Sequence, residues 1–209
     1  MGTGIALMGR KRWVFGITKT VGRVLLSPFF RLITGGVNNL PQESAFILLP
    51  KHQRWEDIPL LGLATPRPLY YVAKSELFTN PLSKWFLVSL GGIPLNRQRP
   101  LESRHSIKSL VSLLREGEGA VVFPEGTYYV KKMGPGHVGM IRLILSRVAP
   151  PFIPVGVSYS RKGFRTLVRI NYGKPVHTKS GMSPRALLDH MMKQIEELSG
   201  LGQEKSSTE

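Results

Sequence analysis

The stretch Ala45-Phe46-Ile47-Leu48-Leu49-Pro50-Lys51-His52-Gln53-Arg54-Trp55-Glu56-Asp57-Ile58-Pro59 decides the fold. Its first five residues are apolar and predict a buried strand that stops at Pro50. Its last residues predict the start of a short helix, because proline is tolerated in a first helical turn and Asp57 suits an N-cap. His52 and Asp57 are therefore expected at the two ends of a tight strand-to-helix loop.

These two side chains are suited to acid–base chemistry. An imidazole takes up a proton near neutral pH, and a carboxylate partner fixes its tautomer and stabilises the imidazolium. The spacing H-x-x-x-x-D is nevertheless common, and a surface histidine beside a helix-capping aspartate is the alternative. A metal site is not expected, because one histidine with neighbouring carboxylates lacks the spacing of zinc ligands.

Composition limits the class of protein. A chain of 209 residues fits one domain with a substantial core and an extension. The sequence has no cysteine, which excludes disulfides and cysteine nucleophiles. Its 29 basic and 13 acidic residues give a net charge of +16, which indicates nucleic acid, anionic lipid or a phosphorylated substrate as partner. No zinc finger, RNP-type motif or basic zipper is present, so nucleic-acid binding would rest on charge alone.

The N-terminal segment is amphipathic. Residues 12–26 have helical periodicity, with an apolar stripe on one side and basic residues on the other. This pattern is typical of a helix lying in a membrane interface, although a helix packed on its own domain is the alternative. The residues predicted to contact the membrane are Trp13, Ile17, Val21 and Val24, continued after Pro28 by Phe29 and Phe30.

No stretch approaches the roughly 20 apolar residues that a membrane-spanning helix needs. We therefore expect residues 1–36 to form a docking segment that holds a peripheral or monotopic protein on the cytoplasmic face of a membrane. An anionic membrane surface would be its partner.

The remainder of the chain alternates between strands and helices. Apolar runs at 69–73, 120–123, 152–157 and 166–170 predict strands, and amphipathic stretches between and after them predict helices. This order predicts an α/β domain over residues 37–201, with a mixed, mostly parallel central sheet flanked by helices. Residues 202–209 are predicted to be a disordered tail.

Four blocks of sequence, in order, carry a family resemblance. They are His52 to Asp57, Gly92-Ile93-Pro94-Leu95-Asn96-Arg97, Phe123-Pro124-Glu125-Gly126-Thr127 and Phe152-Ile153-Pro154-Val155-Gly156-Val157. With these blocks the chain resembles the glycerolipid acyltransferase family, best represented by 1-acyl-glycerol-3-phosphate acyltransferase and marked by an H-x4-D motif. The resemblance extends from about residue 40 to residue 175 and keeps the family's spacing.

The resemblance implies acyl transfer from a thioester to the free hydroxyl of a lysophospholipid, most of all lysophosphatidic acid. His52 would be the general base, oriented by Asp57. Acyl-coenzyme A or acyl-acyl carrier protein would be the co-substrate, with acyl carrier protein a possible partner, and no cofactor is implied. A thioester is already activated, so no enzyme nucleophile is needed. Backbone amides of the His52 loop are the expected donors to the oxyanion.

The resemblance also implies an acceptor site. Arg97 offers a planar fork for a phosphate, while Glu125 would hydrogen-bond glycerol or orient a cation. Alternatively, Arg97 is a solvated turn residue and Glu125 caps the segment that follows it. The remaining residues assigned to this site are Gly126, Thr127 and Pro154.

One loop departs from the family pattern. Family members usually continue the third block with Arg-Ser, whereas this chain has Tyr128-Tyr129, and a lysine expected before the next helix is missing. Lys131 and Lys132, or His137, would have to replace it. A different lysolipid acceptor is therefore an alternative. A basic membrane-binding module that kept the fold without turnover is another.

Overall fold

The computed structural model describes residues 12–96, 103–178 and 181–202. Its α-helices are α1 Arg12–Leu26, α2 Asp57–Ala64, α3 Pro81–Ser89, α4 Arg104–Arg115, α5 Gly139–Leu145 and α6 Pro184–Ser199. Its strands are β1 Phe30–Gly35, β2 Phe46–Pro50, β3 Leu69–Lys74, β4 Gly92–Leu95, β5 Gly119–Val121, β6 Phe152–Lys162 and β7 Arg165–Tyr172. Short 3₁₀ helices occupy Val37–Asn39 and Ser75–Phe78.

Local sequence explains where several helices begin. The Asn80 side chain accepts a hydrogen bond from the Leu82 amide and caps α3, and proline follows at the first helical position. Ser183 caps α6 in the same way through the Ala186 amide. Gly200 ends α6 in the left-handed conformation that glycine adopts without strain.

The strands form one sheet in the order β1-β7-β6-β2-β5-β3-β4. Neighbours from β6 to β4 are parallel, whereas β7 is antiparallel to β6 and β1 is parallel to β7. The predicted mixed, mostly parallel sheet flanked by helices is therefore confirmed.

Both faces of the sheet are covered. Alternate residues of β2 belong to opposite cores, because successive side chains of a strand point to opposite faces. Ile47 and Leu49 pack in the core that includes α4, α5 and α6, and Phe46 and Leu48 pack in the core that includes α2. Burial on both faces explains why this strand is a continuous apolar run.

Residues 30–35 belong to the sheet, which corrects their assignment to the docking segment. They form the edge strand β1, whose Phe30 pairs with Thr166 of β7. Phe30 and Leu32 are half-buried against the core, while Arg31 and Ile33 between them are exposed. Over six residues, an apolar run does not separate a strand from the continuation of an amphipathic helix.

Helix α1 contacts the domain in an orientation that leaves its apolar stripe exposed. Val14 is buried, and the Lys19 ammonium donates a hydrogen bond to the Thr65 carbonyl at 3.1 Å. No helix among the described residues is long and apolar enough to cross a membrane. The large apolar side chains that α1 and the turn after it leave exposed are Trp13, Ile17, Val21, Val24, Leu25 and Phe29.

One edge of the sheet collects the predicted functional segments. We call it the carboxyl edge, because the parallel strands β2 to β6 end there; β1 and β7 run in the opposite direction and begin there. The loops that carry His52 and Glu125 follow β2 and β5, which are neighbours in the sheet. Open α/β sheets bind their ligands at this edge.

Candidate active site

His52 and Asp57 meet at the end of β2. The imidazole Nδ1 lies 3.1 Å from Asp57 Oδ2, and both side chains are buried. An ionised carboxylate only accepts hydrogen bonds, so Nδ1 carries the proton in this pair. The lone pair on Nε2 is then available to accept a proton.

The Asp57 carboxylate also closes the loop that carries His52. Its Oδ2 accepts hydrogen bonds from the amides of Gln53 at 2.6 Å and Arg54 at 2.8 Å. The predicted N-cap role is wrong: Glu56 is the N-cap residue and Asp57 is the first residue of α2. The carboxylate instead accepts hydrogen bonds from amides that precede it in the loop.

These contacts also correct the expected oxyanion donors. The amide of His52 donates to Glu125, and the amides of Gln53 and Arg54 donate to Asp57. A backbone amide that already donates to a buried carboxylate is not free to stabilise a developing oxyanion. These three amides of the His52 loop therefore build the loop rather than the oxyanion site.

Tyr159 completes the environment of Asp57. Its hydroxyl donates to Asp57 Oδ1 at 2.5 Å, so both carboxylate oxygens are engaged. Burial, reinforced by the negative charge of Asp57, raises the pKa of Tyr159 far above its usual value. The phenol is consequently protonated and acts as the donor. The Arg54 guanidinium lies over the Tyr159 ring, 4.8 Å from its centroid.

Two aromatic rings flank the imidazole. The His52 ring stacks on Phe123, with centroids 3.9 Å apart and an interplanar angle of 27°. Tyr128 lies against it at a centroid distance of 4.4 Å and is half exposed. His52 itself is only 7% exposed, so the candidate base is largely shielded from solvent, with Phe123 and Tyr128 against its ring.

A buried ion pair supports the same loop from another side. The ammonium of Lys51 lies 2.7 and 2.8 Å from the two carboxylate oxygens of Glu125, and neither residue is exposed. Glu125 also accepts hydrogen bonds from the amide of His52 at 3.0 Å and from that of Gly134 at 2.6 Å. Burial lowers the pKa of Lys51 despite the opposing effect of Glu125.

Further hydrogen bonds join the loops after β2 and β5. Lys51 donates to the Tyr129 carbonyl at 2.8 Å, and the Tyr129 amide donates to the His52 carbonyl at 2.9 Å. The Lys131 amide donates to the Gln53 side chain at 2.9 Å. Lys131 has a φ of 54°, an uncommon conformation for a residue with a side chain. The two loops thus form one connected unit around His52.

The other predicted site residues lie in different settings. Gly126 has a φ of 70° and makes the turn after Glu125 possible. Pro154 is buried in β6, where it pairs with Leu49, and belongs to the sheet interior. Arg97 lies outside the described residues. The predicted residues that are exposed on the loop after β5 are Thr127, Lys131, Lys132 and His137.

Sequence reasoning missed Lys51, Gln53 and Tyr159. Lys51 carried a usable signal, since a lysine that directly follows five buried apolar residues is rarely tolerated without a carboxylate. Gln53 and Tyr159 carried none, because their partners are distant in sequence: Gln53 donates to the Val157 carbonyl, 104 positions away.

Comparison with known proteins identifies the class. The acyltransferase family model matches residues 31–158, more than half of the chain. The chain therefore belongs to the acyltransferase family. It is an acyltransferase, in agreement with the H-x4-D block and the order of the four motifs.

Individual relatives are more specific. A 1-acyl-sn-glycerol-3-phosphate acyltransferase of Bacillus subtilis is 32% identical over 154 residues, 69% of this chain and 76% of that protein. A lyso-ornithine lipid O-acyltransferase of Pseudomonas aeruginosa is 28% identical over 136 residues, 65% of this chain and 50% of that protein.

A solved structure shares the fold. The crystal structure of the 1-acyl-sn-glycerophosphate (LPA) acyltransferase PlsC from Thermotoga maritima matches with a TM-score of 0.72. The match covers 95% of this chain and 82% of that one, at 22% identity. This similarity extends over the sheet and helices described above.

Proposed function

We propose that the protein transfers a fatty acyl group from a thioester donor to the free hydroxyl of a lysophospholipid at a membrane surface, with lysophosphatidic acid as the principal acceptor. The observation that carries this proposal is the buried His52–Asp57 pair at the carboxyl edge, with Nδ1 held by the carboxylate. The names of several relatives support the acceptor.

The geometry of that pair supports the following chemistry. His52 Nε2 removes the proton from the acceptor hydroxyl as its oxygen attacks the thioester carbonyl carbon. Asp57 stabilises the imidazolium that forms. When the tetrahedral intermediate collapses, the carbon–sulfur bond breaks and the imidazolium returns the proton to the leaving thiolate. The products are the diacyl lipid and the free thiol of coenzyme A or of an acyl carrier protein.

Glu125 and Lys51 would hold His52 in position rather than contact the substrate. Both are fully buried, and Glu125 holds the His52 amide directly. A carboxylate fixed in this way keeps the base at one place relative to the strand. Of the two roles that the resemblance implies for Glu125, this proposal keeps the orientation of a cation, with Lys51 as that cation.

Recognition of an acceptor phosphate falls to exposed cations near this site. Lys131 and Lys132 are exposed on the loop that is bonded to Gln53. The family pattern adds Arg97, whose planar fork suits a phosphate. Docking of the α1 apolar stripe on an anionic bilayer would bring the acyl chains to the carboxyl edge without passage through water.

The decisive test is acyl transfer by wild type and by His52→Ala. Purified protein would be assayed with acyl-coenzyme A and lysophosphatidic acid, and the product identified by mass spectrometry. Loss of the base should lower the rate by about 10²–10⁴-fold or more. The exposed His190→Ala on α6 is the matched control and should keep wild-type activity.

Retention of most activity in a folded His52→Ala protein would contradict the assignment of the base. Circular dichroism and thermal unfolding must show that the variant is folded. Absence of activity in wild type with every donor and acceptor, together with vesicle binding, would instead favour a non-catalytic membrane module.

A second acceptor class has its own observation. Tyr128 lies against His52, where the family usually has an arginine after the Phe-Pro-Glu-Gly-Thr block. An aromatic side chain offers less attraction to a phosphomonoester than a guanidinium does. A lysolipid without a terminal phosphate is the second candidate, and relatives named lyso-ornithine lipid O-acyltransferase accord with it. A panel of lysolipids, tested with coenzyme A and carrier-protein donors, separates the two by kcat/KM.

A further inference from the structure

The tip of the hairpin between β6 and β7 extends beyond the strands beside it. β2 pairs with β6 only as far as Val155, and β1 pairs with β7 only from Thr166 onward. Residues 162–165 therefore lie past the last pairs that either neighbour makes with the hairpin. Gly163 turns the chain at the tip with a φ of 65°. Phe164 follows it and is 87% exposed, more than the other large apolar side chains of the described residues.

Cations surround this phenylalanine. Arg161 and Lys162 precede the turn, Arg165 follows it, and all three are exposed. The Arg165 guanidinium lies 5.6 Å from the centroid of the Phe164 ring. A protruding aromatic ring between cations is poorly suited to water. It suits an anionic lipid surface, where the ring enters the acyl region and the cations stay among the headgroups.

The hairpin is joined to the end of the α1 apolar stripe. The Thr166 amide donates a hydrogen bond to the Phe29 carbonyl at 2.8 Å, and Phe30 pairs with Thr166 in the sheet. Phe29 is itself 64% exposed. The tip of the hairpin therefore neighbours the point where α1 enters the carboxyl edge.

We propose that the hairpin tip, residues 161–165, is a second lipid-contact element, which inserts Phe164 into an anionic bilayer beside α1. This inference rests on the proposed docking at a membrane. A helix alone can rotate about its axis on the surface, whereas two separate contacts fix the orientation of the domain. Because both contacts reach the carboxyl edge, they hold that edge and His52 toward the lipid.

The test measures binding to vesicles of phosphatidylcholine alone and of phosphatidylcholine mixed with phosphatidylglycerol. Phe164→Ala should weaken binding to the mixed vesicles by about tenfold, the equivalent of losing a buried aromatic side chain. The triple variant Arg161→Gln, Lys162→Gln, Arg165→Gln should lose about fivefold per cation on mixed vesicles and little on neutral ones.

A matched triple variant controls for net charge. Lys108→Gln, Arg115→Gln and Lys193→Gln remove the same charge from exposed positions on α4 and α6. This control should bind the mixed vesicles much more tightly than the hairpin variant does. Equal losses in the two triple variants would overturn the assignment to the hairpin and leave only a general charge effect.

Further outcomes separate this inference from the docking proposal on which it rests. If wild type binds neither vesicle, the docking proposal fails as well. If Val21→Asp in α1 abolishes binding while Phe164→Ala binds like wild type, only the hairpin inference fails. Weaker capture of acidic acyl carrier protein by Phe164→Ala, with unchanged vesicle binding, would assign the tip to a protein partner instead. Acyl transfer to detergent-dispersed substrate should be unchanged in Phe164→Ala.

Discussion

The loops after β2 and β5 meet at the carboxyl edge, and each has a buried carboxylate. Asp57, the helical residue that directly follows the first loop, bonds the imidazole of His52, and Glu125 in the second loop bonds the ammonium of Lys51. Both carboxylates also accept hydrogen bonds from backbone amides of the first loop. The two carboxylates therefore have different roles. Asp57 fixes the proton on Nδ1 of the imidazole, whereas Glu125 fixes the position of the backbone that carries the imidazole.

Among the substitutions that test these two roles, Asp57→Asn should have the largest effect on catalysis. An amide retains the shape of the side chain but loses the charge that stabilises the imidazolium, and it no longer fixes Nδ1 as the donor. We expect kcat to fall by about 10²–10⁴-fold. Steady-state acyl-transfer assays measure this, with the exposed Asp189→Asn on α6 as the matched control.

The catalytic role of Asp57 would be contradicted if Asp57→Asn lost enough stability to explain its loss of activity. Asp57 also closes the loop through the amides of Gln53 and Arg54. Unfolding in urea should therefore be measured on the same samples. A catalytic role requires that folded, substrate-binding Asp57→Asn protein be inactive.

Lys51→Met should act first on stability. Removing one partner of a buried pair leaves an uncompensated charge on Glu125, which costs about 3–5 kcal/mol of unfolding free energy. The Arg185–Asp189 pair on α6 is the matched control, because it has a similar separation of 3.0 Å but exposed side chains. Arg185→Met should cost only about 0–1 kcal/mol.

The double variant Lys51→Met, Glu125→Gln sharpens the comparison. It removes both charges, so part of the lost stability should return in urea unfolding. If Lys51→Met were as stable as wild type but inactive, Lys51 would belong to the chemistry, and the separation of roles between the two loops would be wrong.

The sequence allowed the first loop to be predicted because its contacts are local. His52 and Asp57 are five positions apart, and an apolar strand before them with a helix after them leaves little freedom. Lys51 and Glu125 are 74 positions apart, and their pairing depends on β2 and β5 being neighbours. Alternation of strands and helices predicts the class of sheet, but it does not give the order of its strands.

β1 illustrates the same limit in the fold. Its six residues pair with β7, more than 130 positions later in the chain, as Phe30 with Thr166 shows. Taken alone they continue the apolar surface of α1. Only the sheet, which needs an edge strand beside β7, shows that Phe30 and Leu32 are half-buried in the core.

Tyr159→Phe should have the smallest effect, and it tests whether the environment of Asp57 matters beyond the loop itself. The hydroxyl is 102 positions from Asp57 and donates to Oδ1, the oxygen that does not contact His52. Its loss removes one hydrogen bond to a charged group, worth about 1.5 kcal/mol, so kcat/KM should fall by about tenfold. Without this bond the carboxylate is held less firmly in the position where it bonds Nδ1, so kcat should fall while KM stays near the wild-type value. Steady-state kinetics of wild type and variant in one buffer decide the point. An unchanged kcat/KM would mean that Tyr159 contributes packing alone, and that the two loops contain everything that tunes His52.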